Sequence, residues 1–485
     1  MVRKVEEGSL VAVEMYTGHF GAMDIHAPQP VGYAARLGLF SGTMLVVGGI
    51  IGSGIFLSPS VVAQRVGTAP LTMAAWGIGA VVAIIGGFVY AELGARRPQA
   101  GGTYVYLREA FGTLPAFLYG WALFLIMATG AIAAVAMTGA SYLAALLGMA
   151  PEHARAIAIT LIVILTLLNV LGVNIGATTG NVLTVLKLSA IAVLVVAALI
   201  MAPAHALPVV TAVTPLVPPL GGTATVVAMG AALVPVLFSF GGWQQTNAVA
   251  EELRDPARTL PRALILGVLI VAATYLLVNL AYLRALGVEG LAASSAPAAD
   301  TMFVYLGPAG RTLITCGIVA STIGFLGMVI LMSARVYQAM AADGLFFQSM
   351  AALHPTTRTP VVALVAQGAV ALALLLTGTY GQLLDYVVFA DWIFFGATAA
   401  TLFVLRKRDA QRHGGESSLT KAPGHPFTTL LFIAAAMYVV VGSIISNPGN
   451  AARGAALLVL GVPVYLYWNA RRAALRPAPR PPATS

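Results

Sequence analysis

The segment Gly48-Gly-Ile-Ile-Gly-Ser-Gly-Ile-Phe56 decides the fold of this chain, because it places four glycines in the middle of an apolar run. Glycine is the residue that most readily leaves helical φ/ψ angles. The run extends from about residue 38 to residue 66, which is long enough to cross a bilayer. Since unwound backbone at bilayer depth persists only where it lines a cavity or is buried in protein, the segment predicts a broken membrane helix beside a cavity.

A second interruption follows at Phe238-Ser-Phe-Gly-Gly-Trp243, in the sixth predicted apolar span. The first motif alone also fits close helix packing, because Gly48 and Gly52 form a small-xxx-small face. Matching interruptions five spans apart favour the other interpretation, in which equivalent helices of two five-helix halves are both broken. An odd number of spans in each half inverts the second half relative to the first.

The composition is that of a polytopic membrane protein. Of the 485 residues, 59% are hydrophobic and 9% are charged, whereas a soluble domain has about 25% charged residues. The formal charge of +9 resides in short loops rather than on one basic face, so nucleic acid is not an expected partner. About 20 of the 26 basic residues lie on the side with both termini, which predicts cytoplasmic termini in a plasma (inner) membrane.

The predicted organisation is all-α, with about twelve transmembrane helices. Apolar runs punctuated by Gly, Pro and charge predict spans near residues 38–66, 70–95, 112–148, 155–173, 179–202, 223–250, 260–286, 309–340, 360–377, 382–405, 427–446 and 452–470. They divide into an N-terminal tail at 1–35, a first repeat at 36–205 (helices 1–5), a second repeat at 206–406 (helices 6–10), helices 11 and 12 at 407–470, and a C-terminal tail at 471–485. The third and eighth spans are overlong, which predicts tilt or a helical extension. The only cysteine, Cys316, is expected to be a small core residue.

Freed backbone groups at the first break match the two ends of an α-amino acid. An interrupted helix leaves N–H groups and the positive end of a half-helix dipole to receive a carboxylate, and leaves carbonyls to receive an ammonium. We predict that the carboxylate lies near the Ser53 and Gly54 amides, with the Ser53 hydroxyl assisting and the Ile50 carbonyl available to the amine. The predicted substrate-binding residues of this break are Ile50, Gly52, Ser53 and Gly54.

The second break supplies the rest of the predicted ammonium site. The carbonyls of Phe238, Ser239 and Gly241 complete the set of acceptors, and the Phe238 ring covers the ligand as a thin gate. Phe238 and Trp243 also fit ordinary core positions. For Trp243 we expect the core position rather than contact with the ligand.

These motifs resemble those of the amino acid–polyamine–organocation (APC) transporter superfamily, and of its L-type amino-acid transporter branch in particular. The similarity extends over about residues 36–470, and its most specific segments are Gly49–Phe56, Tyr90–Pro98, Gly101–Tyr106, Gly241–Trp243, Glu251–Pro256 and Leu260-Pro261. The resemblance implies a five-plus-five inverted repeat, alternating access, and amino-acid exchange or uptake. It also implies that the segments Ile50–Gly54 and Phe238–Gly241 bind the backbone of the amino acid.

The sequence departs from the L-type pattern in two places. Gln244 stands where that pattern often has Asn after the Trp, so side-chain selectivity does not carry over. The outer loop near the fourth span has no cysteine of the kind that attaches a heavy subunit in some animal members. No covalent heavy subunit is therefore expected.

Lys187 lies inside the fifth predicted span, where a lysine is unfavourable enough to indicate a functional site. The resemblance implies a position beside the first helix break, where sodium-coupled relatives of the same fold bind sodium. The ammonium then replaces that cation and tethers the broken helix, or it releases and regains a proton in each cycle. The alternative is a lysine that snorkels to the cytoplasmic face.

Several carboxylates lie near the ends of predicted spans. Glu92, Glu251 and Glu252 are close in sequence to arginines. We expect them either to form ion pairs that close an inward gate or to be ordinary interfacial anchors. Asp385 and Asp391 flank the start of the tenth span, and the sequence leaves the depth of Asp391 open.

Other classes of function have weaker support. The sequence has no phosphate-binding loop, Gly-x-Ser-x-Gly elbow or paired Cys ligands, and His413 and His425 lack metal-ligand spacing, so no enzyme, metal or cofactor is expected. A channel is expected to repeat pore-lining polar residues, whereas this sequence has two isolated breaks. The sequence does not exclude a transporter-like sensor, which would bind the substrate without moving it. Exchange of neutral L-amino acids is preferred over proton-coupled uptake through Lys187. Cationic substrates or polyamines rank third, because no acidic residue stands next to either break.

Overall fold

The computed structural model describes residues 33, 35–205, 222–377, 380–413, 420–446 and 448–474. The predicted tails at 1–35 and 471–485 lie largely outside the described residues, as does the start of the predicted second repeat at 206–221. The side chains of Asp385 and His413 also lie outside the described part.

The described chain is built from helices that follow one another along most of its length. The α-helices are α1 Leu39–Ile50, α2 Gly54–Val66, α3 Ala69–Arg96, α4 Thr103–Phe111, α5 Thr113–Ala122, α6 Ala128–Leu146, α7 Ala154–Val170, α8 Val173–Ile200, α9 Thr223–Ser239, α10 Pro256–Ala293, α11 Pro297–Ala342, α12 Val361–Thr377, α13 Tyr380–His413, α14 Phe427–Ser446 and α15 Pro448–Ala474. A π-helical segment, Leu123–Met127, joins α5 to α6, and the 3-10 helices are Pro151–His153, Trp243–Glu252 and Gln348–Ala351.

The helices correspond to the predicted spans. In the described part, ten helical runs are long and apolar enough to cross a membrane, and the bent pair α1 and α2 makes an eleventh. The shorter helix α12 is also apolar. Each of the twelve predicted spans therefore has its own helix or broken helix, and the chain is a multi-pass, all-α membrane protein. The five-plus-five inverted repeat stays a prediction.

Both predicted helix interruptions are present. Helices α1 and α2 meet at 41° across residues 51–53. Helix α9 ends at Ser239, and three residues later the chain resumes as a 3-10 helix rather than an α-helix. Gly242, at this junction, has φ +110°, a backbone conformation that other residues adopt only with strain.

The overlong spans have structural causes. The eighth span, α11, passes through non-helical backbone at Gly307 and continues as helix to Ala342, and the choice between tilt and a helical extension stays a prediction. The third span includes the π-helical segment. The expectation for Cys316 was wrong, because its side chain is exposed on the outside of α11. An apolar run in a membrane protein does not reveal which of its faces meets other helices, since lipid is as apolar as the core.

Neighbouring helices hold the two breaks together. Helix α1 packs against α10 and the 3-10 helix Trp243–Glu252, α2 packs against α9, and α8 packs against α11. At one end of the bundle, the Arg254 amide donates to the Leu37 carbonyl at 2.8 Å and the Leu37 amide donates to the Glu252 carbonyl at 2.9 Å. These bonds connect the entry to α1 with the end of the second broken helix.

Candidate functional site

One cavity brings the two breaks together. It contains about 730 Å³ of space free of atoms, counting its open mouth. All seven predicted substrate-binding residues line it: Ile50, Gly52, Ser53, Gly54, Phe238, Ser239 and Gly241. The remaining walls come from Leu123, Met127, Ala131, Val135, Leu237, Gly242, Gln244, Gln245, Phe325, Val387, Val388, Asp391, Trp392 and Phe395.

The first break presents free backbone donors at the start of α2. In the described structure the amides of Ser53, Gly54 and Ile55 have no hydrogen-bond acceptor, whereas the next amide, of Phe56, donates to the Ser53 carbonyl at 3.2 Å. Unpaired amides at a helix N-terminus, together with the helix dipole, favour an anion. This geometry fits a carboxylate at the position predicted for it.

Glycines let the two breaks approach each other closely. A Cβ atom at Gly242 would lie 2.0 Å from the Gly49 carbonyl oxygen. A Cβ atom at Gly54 would lie 2.7 Å from Ser239 Oγ and 2.9 Å from Ser239 Cα. Real Cβ atoms do not approach neighbours this closely, so larger residues at Gly54 or Gly242 would push the two broken helices apart.

The predicted acceptor carbonyls differ in how free they are. The Tyr275 hydroxyl donates to the Ile50 carbonyl at 3.3 Å and to the Ser239 carbonyl at 3.1 Å, and so bridges the two breaks. The Ile50 carbonyl oxygen also accepts from the Gly52 amide at 2.9 Å. These two bonds together occupy both of its lone pairs. Within the described residues the Gly241 carbonyl accepts no hydrogen bond. Gly241 is therefore a better acceptor for an amine than Ile50.

Lys187 lies behind the first break rather than in the wall of the cavity. Its side chain is fully buried, and Nζ donates to the Ile51 carbonyl at 2.6 Å and to the Gly48 carbonyl at 3.2 Å. Ser321 Oγ, from α11, donates to the same Ile51 carbonyl at 3.0 Å. These contacts exclude the alternative in which Lys187 snorkels to the surface, and they place its ammonium where it ties α8 to the unwound backbone.

Buried ion pairs lie at the end of the bundle that carries the Leu37–Glu252 contact. Arg335 Nε lies 2.6 Å from Glu252 Oε1, both side chains are buried, and the Tyr33 ring lies 5.5 Å from the Arg335 guanidinium. Glu92 bonds to Arg96 at 2.7 Å and to Arg406 at 2.5 Å, which connects α3 to α13. Glu92 and Glu252 are therefore ion-paired and buried, and their role as a gate or as interfacial anchors stays a prediction.

Trp243 and His425 pack against other side chains and do not line the cavity. Trp243 is 2% exposed and its ring lies 4.8 Å from that of Tyr90, which confirms the expected core position. His425 lies just before α14, where burial and the nearby Arg406 charge lower the pKa of its imidazole. Its Nδ1 lies 2.9 Å from Thr429 Oγ1.

Several residues of the site carry no local sequence signal. Tyr275, Ser321 and Phe325 come from the middles of long apolar helices, where nothing in the pattern marks them as neighbours of a break. The sequence left the depth of Asp391 open, and the structure places it in the cavity wall. The observation that no acidic residue stands next to either break in sequence holds, but it missed Asp391, which reaches the cavity from a distant helix.

Comparisons with known proteins agree with this architecture. The family model for amino acid permeases matches residues 37–466. The serine/threonine exchanger SteT of Bacillus subtilis (strain 168) is 31% identical, over 91% of this chain and 98% of its own length. The large neutral amino acids transporter small subunit 2 of Rattus norvegicus is 31% identical, over 90% and 81%. The b(0,+)-type amino acid transporter 1 of Mus musculus is 30% identical, over 85% and 83%. The chain is therefore a member of the amino acid permease family.

Proposed function

We propose that this protein exchanges neutral L-amino acids across a plasma (inner) membrane by alternating access. One observation carries the proposal: the free amides of Ser53, Gly54 and Ile55 and the free carbonyl of Gly241 belong to two helix breaks that meet at one cavity. Donors for a carboxylate and an acceptor for an ammonium, held at one cavity by two broken helices, match the zwitterion that all α-amino acids share.

The names of the relatives support exchange and neutral substrates. One is a serine/threonine exchanger and another is a subunit of a large neutral amino acids transporter. In our proposal both termini are cytoplasmic, so the buried Glu252–Arg335 pair and the pair of buried Glu92 with half-buried Arg406 close the cytoplasmic end. Membrane lipids cover the exposed apolar side chains of the outer helices, among them Val226 and Ile445.

In this proposal Lys187 acts as a built-in cation. Its two bonds to carbonyls of the first break replace what a bound cation would supply, and they persist through the cycle. The second candidate is proton-coupled uptake, in which Lys187 loses and regains a proton. Lys187 has no carboxylate partner among the described residues. This supports the proton-coupled candidate, because no neighbouring negative charge holds the amine in its protonated form.

Transport into proteoliposomes separates the two candidates. Purified protein is reconstituted, and uptake of radiolabelled L-alanine, L-serine, L-leucine and L-arginine is measured with and without internal amino acid. A parallel series imposes a pH gradient on empty vesicles. Uptake that requires internal amino acid supports exchange with a structural lysine, whereas uptake driven by the gradient alone supports proton coupling. Absence of transport for all amino acids under both conditions contradicts the proposal.

A further inference from the structure

Asp391 lies in the wall of the cavity and has no role in the function proposed above. It is contributed by α13, and it is the one ionisable side chain among the described residues that line the cavity. Within the described structure its carboxylate has no hydrogen bond and no ion pair. The neighbours Val387, Val388 and Trp392 are buried and apolar. A carboxylate in such surroundings is unfavourable unless something supplies a donor.

We propose that Asp391 recognises the side chain of the transported amino acid and selects side chains that end in a hydrogen-bond donor. The inference rests on the proposed function, because it assigns the side-chain end of the same site. The backbone of the substrate is held by the two breaks. Asp391 lies on a different element, α13, which packs against α6 and the π-helical segment. The side chain of an amino acid held at the breaks extends towards the remaining walls, of which α13 forms one.

A second unpaired acceptor supports this assignment. Gln245 also lines the cavity, and its Oε1 atom is buried without a hydrogen-bond partner. The neighbouring Gln244 differs, because its Oε1 accepts from the Gly242 amide at 2.9 Å and so serves the backbone of the break. The described lining therefore combines the half-buried Asp391 carboxylate and the buried Gln245 Oε1, neither of which has a hydrogen-bond donor from the described residues, with no Lys, Arg or His. A ligand that brings a donor satisfies these acceptors, and an apolar side chain leaves them desolvated.

A hydroxyl at the end of the side chain is the donor that agrees with exchange of neutral amino acids, and an ammonium group is the other donor, whose selection would add cationic amino acids to the substrates. Both donate to a carboxylate, and they differ in whether they also neutralise its charge. Replacement of Asp391 by Asn separates them, because an amide oxygen still accepts from a hydroxyl but carries no charge to attract an ammonium. Replacement by Leu removes both the acceptor and the charge at similar volume.

The test compares substrates that match in shape and differ in the donor. L-threonine is compared with L-valine, and L-diaminobutyrate with L-norvaline, each as the ratio of Vmax/KM for exchange in proteoliposomes. Sites that hydrogen-bond a substrate group reject analogues without it, and we expect wild-type protein to favour the donor by at least about tenfold in one pair or both. Asp391→Leu is expected to bring each such ratio close to one. Asp391→Asn is expected to retain a threonine preference and to lose a diaminobutyrate preference.

Asp409→Asn is the matched control. It removes a carboxylate from the same helix, at a site bonded to Arg96 and Arg97 rather than in the cavity wall, and the substrate ratios should stay at their wild-type values. Wild-type ratios near one in both pairs, or ratios that survive Asp391→Leu, overturn the inference while exchange itself stands. Absence of exchange for every amino acid overturns the proposed function instead. If Asp391→Leu does not fold, the wild-type ratios and the ratios of the isosteric Asp391→Asn variant still test whether Asp391 selects the side chain.

Discussion

Replacement of Lys187 by Met tests the tether on the first broken helix. Methionine keeps the unbranched shape of the side chain and removes the ammonium that donates to the Ile51 and Gly48 carbonyls. Ile51 keeps its bond from Ser321, at 3.0 Å, whereas Gly48 loses its side-chain donor. The variant therefore loosens the connection between α8 and the unwound backbone without removing it.

The expected magnitude follows from these bonds. A hydrogen bond to a charged group contributes about 1.5–3 kcal/mol, and about 1.4 kcal/mol corresponds to a factor of ten. The variant loses two such bonds, but Ile51 keeps its bond from Ser321, so we count the loss of one, which lowers exchange by about 10- to 150-fold. The folded protein loses less, because removal of the ammonium also removes the unfavourable burial of its charge. We therefore expect turnover to fall much more than the melting temperature in detergent.

The assay is exchange of radiolabelled L-serine in preloaded proteoliposomes, with the melting temperature measured on the same preparation. Thr184→Val is the matched control, because Thr184 lies one turn earlier on α8, is fully buried, and has a hydroxyl without a hydrogen-bond partner. That variant should exchange at the wild-type rate. Wild-type exchange by Lys187→Met would refute both proposed roles of the lysine. Equal loss in Thr184→Val would show that α8 tolerates no substitution and that the tether is not the cause.

Substitutions at Gly54, at Gly242 and in the Glu252–Arg335 pair test the site and its supports. Gly54→Val places side-chain atoms against Ser239, so it should abolish L-serine binding. Equilibrium binding of radiolabelled L-serine to monodisperse protein measures this, and an unchanged affinity would contradict the carboxylate site at Gly54. Gly242→Ala combines a left-handed φ with a Cβ atom 2.0 Å from a facing carbonyl oxygen, so it should prevent accumulation of folded protein. Gly112→Ala has a comparable φ and nothing within 4 Å, so it should show only strain of about 1–3 kcal/mol as a lower melting temperature. Glu252→Gln or Arg335→Met should each destabilise by about 3–5 kcal/mol, because one buried charge is left unpaired. The double variant should recover most of this loss, and a melting temperature no higher than that of either single variant would contradict the ion-pair assignment.

The order of the helices and the two breaks could be predicted from local patterns. Long runs of apolar residues indicate segments that lie in lipid, and the glycines at 48–54 and 241–242 indicate where a membrane helix is interrupted. The 3-10 conformation of Trp243–Glu252 after the second break could not be predicted, since no local pattern marks it and the segment packs against α1, which is distant in sequence. The outward position of Cys316 was missed for a related reason, because hydrophobicity in a bilayer does not separate lipid-facing from helix-facing sides.

The predicted site residues were those whose chemistry is local to a break. Ser53, Gly54 and Gly241 owe their free groups to their own backbone, and a sequence motif records that backbone. Tyr275 reaches the carbonyls of the two breaks, and Asp391 reaches the cavity wall, from helices far away in sequence. Helical periodicity indicates which residues share a face, but it does not indicate which partner that face meets.

The sequence by itself determined that this protein spans a membrane many times and that two of its helices are broken, and it gave the grounds for proposing that the breaks receive the two ends of an amino acid. These properties depend on the solvent around each segment and on the freedom of glycine backbone, both of which act over a few residues. The tertiary structure decided that Lys187 bonds to the first break, that Tyr275 bridges the two breaks, and that Asp391 lies in the cavity wall. Those contacts join atoms brought together only by helix packing, whose geometry depends on the whole chain.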